Sequence, residues 1–124
     1  MTSKSIVQGF RDLLVWQKSM LLVKQTYFLT RQFPNDERFG LISQMRRAAV
    51  SIPSNIAEGQ ARHSTGEFIQ FISNAEGSVA ELETQLEIAV DLGYCTPSQK
   101  EFVLALAEDI RKMLNGLRRR LQGL

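Results

Sequence analysis

Histidine and cysteine are nearly missing from this sequence: 124 residues hold one of each, with three prolines and one tryptophan. A lone cysteine excludes an internal disulfide framework and a multi-cysteine zinc site, and it fits a reducing compartment. A single histidine removes the paired Glu-x-x-His sets of di-metal bundles, and a Ser-His-Asp or Cys-His arrangement would have to borrow that same His63. No Walker loop, G-x-G-x-x-G run or nucleophile elbow is present. No run approaches the ~18–20 apolar residues a membrane span needs, and the first ten residues lack a signal peptide's apolar region. Net charge is also small, +2 from 15 basic and 13 acidic residues, too little to imply a nucleic-acid partner by itself. These absences leave a cytoplasmic, non-enzymatic protein without cofactor or metal. His63 reads as a loop residue and Cys95 as a small, half-buried hydrophobe.

What is present is helical. With 44% hydrophobic and 23% charged residues, the chain has a globular composition, and its length suits one domain that buries about two-thirds of its unfolded surface. Residues 1–11 read as a flexible segment and residues 12–124 as the domain. The first helix runs from Asp12, a candidate N-cap, to Phe33 before Pro34. Leu13, Trp16, Met20, Val23 and Tyr27 form one apolar seam at helical spacing and read as core. Leu14, Val15, Leu21, Leu22, Phe28 and Leu29 fall on the other side. A helix apolar on two sides needs cover on two sides, so these six are the candidate subunit interface of a homo-oligomer.

The second helix follows Asn35, a candidate cap, and carries Ile42, Met45, Ala49, Ile52 and Ile56 on its core face. Pro53 removes the hydrogen bond to the Ala49 carbonyl and should kink or split the helix, which is expected to end near Glu58 and Gly59. Ser64 and Glu67 have capping-box spacing for the third helix, whose seam is Phe68, Ile72, Ala75, Val79, Leu82, Leu86 and Ala89, with Gly93 as its stop. Thr96, Pro97 and Gln99 open the fourth, whose stripe is Val103, Leu106, Ile110, Met113, Leu117 and Leu121. Short connections require antiparallel neighbours. The fold is all-α: an antiparallel up-down-up-down four-helix bundle with a Pro-kinked second helix.

The near-neutral sum hides segregation. Residues 64–95 carry six acids and no Lys or Arg, while residues 38–63 hold four arginines against Glu58 alone. Glu76, Glu83, Glu87 and Asp91 lie along one face of the third helix, and such a stripe favours basic partners alongside. Arg111, Lys112, Arg118, Arg119 and Arg120 concentrate charge near the carboxyl end, where a helix dipole welcomes cations in any case. Two readings follow. The cations pair with the acidic helix, within or between subunits; or Arg46, Arg47, Arg111, Lys112, Arg118, Arg119 and Arg120 contact a nucleic acid, RNA first, through its backbone.

Three stretches carry a resemblance. Asp12 to Lys18, Glu37 to Leu41 and Gln44 to Gly59 (QMRRAAVSIPSNIAEG) resemble the bacterial four-helix bundle proteins encoded in intervening sequences of large-subunit ribosomal RNA genes. Glu67 to Phe71, Glu81 to Leu86 and Leu92 to Tyr94 extend it to about residues 10–95. The resemblance implies a ring-like homopentamer with no catalytic residues. A similar bundle is the accessory variability determinant of diversity-generating retroelements, which binds a reverse transcriptase and nucleic acid. That likeness is one of fold.

Overall fold

A computed structural model describes residues 9–124. The expectation of flexibility for the first eight residues lies outside them. Phe10–Asp12 forms a single 3-10 turn, with the Phe10 ring edge-on to Trp16 at 5.3 Å. Four helices follow: α1 (Leu14–Thr30), α2 (Leu41–Gln60), α3 (Thr65–Asp91) and α4 (Pro97–Leu121). Contacts join α1 to α2, α2 to α3, α3 to α4 and α4 back to α1, and the α2–α3 pair is the most extensive. Short connections make each neighbour antiparallel, so the four helices stand at the corners of a square.

The core of α1 is not the expected seam. Val15, Leu22 and Leu29 are buried together with Ser19, Thr26 and Thr30, whereas Met20 and Tyr27 are exposed and Leu13, Trp16 and Val23 only partly covered. Polar side chains can occupy this stripe because each hydroxyl donates to a carbonyl one turn back: Ser19 to Val15 at 2.7 Å, Thr26 to Leu22 at 2.8 Å and Thr30 to Thr26 at 2.8 Å. Three of the six expected interface residues, Val15, Leu22 and Leu29, therefore belong to the chain's own core. The other three, Leu14, Leu21 and Phe28, are 58%, 46% and 56% exposed.

The helix ends also differ from expectation in places. Asp12 and Asn35 sit in 3-10 turns and not at the N-cap positions of α1 and α2; α1 starts after Leu13, which makes no side-chain cap. Glu37 supplies the missing cap of α2 from outside, its Oε1 accepting from the Leu41 amide at 3.0 Å. Helix α2 is not split: it runs unbroken through Pro53 to Gln60. Gly59 lies within it, and a Cβ there would stand 2.7 Å from Phe71 Cβ, so the glycine allows α2 and α3 to approach closely. Glu67 receives the Ser64 hydroxyl, not its backbone amide, so only half of that capping box forms. The box of Thr96 and Gln99 is complete. Gly93, at φ 77°, closes α3 with Tyr94 N–H bonded to the Ala89 carbonyl and its own N–H to Val90, a Schellman ending.

The expected stripe of α3 is buried from Ile72 to Ala89, with Phe68 half-buried at its edge. In α4 the buried line is Val103, Ala107, Ile110 and Leu114, while Leu106, Met113, Leu117 and Leu121 pack at its margin. Among the described residues no helix is long and apolar enough to cross a membrane.

Candidate functional site

Three ion pairs run along the seam between α3 and α4. Arg118 Nε donates to Glu76 at 2.9 Å, Arg111 lies 3.7 Å from Glu83, and Lys100 Nζ is 3.1 Å from Glu87. The carboxylates fall one or two turns apart on α3, and antiparallel α4 brings its cations past them in reverse order. Hydrogen bonding to Glu87 holds the Lys100 ammonium above its ordinary pKa. Arg118 is further fixed by Asn115 at 2.7 Å and Gln122 at 3.3 Å. The acidic stripe is thus largely neutralised inside the chain, and two candidate nucleic-acid contacts, Arg111 and Arg118, are spent on doing so.

Lys112, Arg119 and Arg120 remain on the surface of α4, with no ion pair among the described residues. Lys112 and Arg120 flank a cleft of about 390 Å³ between the start of α1 and the end of α4, floored by Leu13, Leu14 and Met113. The cation cluster read from the sequence therefore divides into residues that fasten α4 to α3 and residues that face outward.

Arg46 and Arg47 diverge in the same way. Arg46 Nε donates to Thr30 Oγ1 at 2.9 Å, and its guanidinium lies 4.4 Å from the Tyr27 ring centroid, so it braces α2 against α1. Arg47 is exposed. Around them the structure gathers residues that periodicity does not single out: Phe39, 87% exposed, with Arg38 above its ring at 5.5 Å. An aromatic residue in a polar connection between two helices is the signal that the sequence offers for it. Below this patch the α1–α2 boundary continues as an open apolar groove of about 270 Å³, walled by Trp16, Met20 and Val23 on one side and Val50, Pro53 and Ala57 on the other. The expected core seam of α1 is the wall of this groove.

The end of the bundle beside it is tied by Glu37, which accepts the Tyr94 hydroxyl at 2.7 Å as well as the Leu41 amide. These two bonds hold the Glu37 carboxyl below its usual range, the backbone amide contributing most, and the same bond pushes the Tyr94 phenol up. Burial raises the Cys95 thiol, with a smaller opposing effect from Lys100, which makes it a poor nucleophile at neutral pH. His63 is exposed in the α2–α3 connection. No three His, Cys, Asp or Glu among the described residues converge as a metal set.

Fold and surface together define a single antiparallel four-helix bundle whose distinguishing features are an ion-pair ladder, exposed cations and uncovered apolar faces. The chain belongs to the 23S rRNA-intervening sequence protein family, whose model matches residues 11–116. Among solved structures it is similar to a protein of unknown function from the S23 ribosomal protein family of Bacteroides thetaiotaomicron. That similarity has a TM-score of 0.77 and 25% identity, covering 86% of this chain and 99% of the other. No curated protein matches the chain.

Proposed function

We propose that this chain is a non-enzymatic, cytoplasmic scaffold that assembles with copies of itself and holds an RNA backbone on its outward cations. The observation that carries the RNA part is the sorting of charge on α4. Its inner cations, Lys100, Arg111 and Arg118, are matched one to one with the acids of α3, whereas Lys112, Arg119 and Arg120 face solvent. Cations that the fold does not consume are available to phosphates, and a ring would repeat them around its circumference. Arg47 is a fourth such group. Arg111, Arg118 and Arg46 are withdrawn from the contact set because each has a structural partner within the chain. Five copies is the ring size the family resemblance implies.

Binding of a single-stranded RNA, followed by fluorescence anisotropy from low to moderate salt, tests it. The expected result is binding that weakens steeply with salt. Replacing Lys112, Arg119 and Arg120 together by alanine should flatten the log–log salt slope by about two, at ~0.7 for each phosphate of a single strand that is no longer neutralised. Absence of binding at low salt would instead favour the second reading, a pure assembly module whose charges serve pairing. Its supporting observation is the ladder itself, which already employs two of the seven candidate cations in holding α4 to α3.

A further inference from the structure

Phe39 has the most exposed large apolar side chain among the described residues, at 87%, and the fold holds it there. The turn that carries it is tied on both sides. Arg38 N–H donates to the Asn35 carbonyl at 3.2 Å and Gly40 N–H to the Glu37 carbonyl at 3.0 Å. The Glu37 carboxylate meanwhile takes the Leu41 amide and the Tyr94 hydroxyl. A phenyl ring left in water on a fixed backbone is a ready surface for another flat group, because little order is lost when one lands on it.

Around the ring the charge is of one sign. Phe39 edges an open hollow of about 450 Å³ between the carboxyl end of α1 and the first turns of α2, lined also by Arg38, Arg46 and Arg47 and by no Asp or Glu. The next hollow along α1 shares Tyr27 with it and is lined by Lys24 and Arg31, again without an acid. Arg46 is committed to Thr30 and the Tyr27 ring. Arg38 and Arg47 are exposed and make no ion pair among the described residues. The Arg38 guanidinium lies over the Phe39 ring at 5.5 Å, and a stacked guanidinium keeps its in-plane N–H donors for a phosphate. No aromatic residue lines the cleft beside Lys112 and Arg120, so the two cationic regions differ in kind.

Cations beside an exposed ring suit a ligand that is both flat and anionic, as a nucleotide of a single strand is. We infer that the Phe39 turn is a stacking platform for an unpaired RNA base. The base lies on the ring face opposite Arg38, and its flanking phosphates meet Arg38 and Arg47. A base held in a duplex is already stacked and cannot reach the ring, so the platform selects single strands, which the cations of α4 alone do not. The inference rests on the RNA reading above and adds to it what touches the bases.

Fluorescence anisotropy with a single-stranded RNA and with an abasic strand of the same length and charge tests it, circular dichroism confirming the fold of each variant. Phe39→Ala should weaken binding of the intact strand roughly five- to 150-fold, the usual share of one stacked base. It should leave the log–log salt slope and the abasic affinity unchanged. Phe39→Trp should keep the wild-type affinity, whereas Phe39→Leu, apolar but without a ring, should not. Arg47→Ala should weaken both strands and flatten the slope by about 0.7. Equal losses on the two strands for Phe39→Ala would overturn the platform, since a ring needed for folding or assembly serves both alike. Wild-type affinity in Phe39→Ala would overturn it too, as would polyglutamate bound with the same dependence on Phe39, which marks a site for acidic protein. A wild type that binds neither strand at low salt would overturn the RNA reading along with it. Loss of binding in the α4 triple variant, with none in Phe39→Ala, would overturn the platform alone.

Discussion

Glu37 does more for this bundle than its place in a short connection suggests. Its carboxylate takes the first free amide of α2 and the hydroxyl of Tyr94, whose ring in turn packs on Phe33 at 5.4 Å. Because its pKa is held below that of the unfolded chain, the carboxylate adds stability above the unfolded pKa and loses it as pH falls through the folded one. Glu37→Gln should therefore lower the melting temperature by a few degrees at neutral pH, a gap that closes below the ordinary carboxylate range; thermal melts from pH 7 down to 3 check this. An equal gap at every pH would show that the charge is irrelevant. None of this is legible in the sequence, where Asn35 looks the better cap. A cap reaching in from four residues before the helix has no spacing signature of its own. Ser19, Thr26 and Thr30 are hidden for a related reason: a hydroxyl bonded to its own helix packs as an apolar group does, but a hydropathy pattern counts it as polar.

Among the elements, α3 is legible almost residue for residue, because helices on either side cover one well-defined face. Helix α4 is half legible, its buried line passing through Ala107 and Leu114 beside the expected stripe. In α1 the buried face lies roughly a quarter turn from the expected seam. That helix carries apolar residues on both flanks, and periodicity alone cannot say which flank its own bundle covers. Pro53 looks like a break in α2 and lies within it, whereas the expected end near Glu58 and Gly59 falls one residue short of the last, Gln60. Gly59 is there for contact, since a methyl group would also stand 2.9 Å from the Phe68 ring. Gly59→Ala removes a helix-weakening glycine yet should destabilise the fold by roughly 1–3 kcal/mol, the usual cost of overpacking. Denaturant titration would show it as a lower midpoint at unchanged slope; a midpoint that rises would mean that α2 and α3 part at no cost.

For the whole molecule, the small net charge of the sequence is misleading in both directions. It conceals a segregated surface, and folding then cancels part of that segregation through the α3–α4 ladder. The seven candidate cations divide accordingly: Arg46, Arg111 and Arg118 build the bundle, and Arg47, Lys112, Arg119 and Arg120 look outward. The fold class and family are legible from capping motifs and long signature stretches. Which arginine pairs with which carboxylate is not, because that depends on the rotation of two helices about their axes. Uncovered apolar residues on both flanks of α1 are what a single bundle leaves exposed, and the proposed assembly would cover them. Light scattering on the purified wild-type chain at micromolar concentration tests that assembly without any substitution. The proposed assembly is expected at a multiple of the chain mass of 14.1 kDa, five times for the ring that the family resemblance implies; the mass of one chain would contradict it.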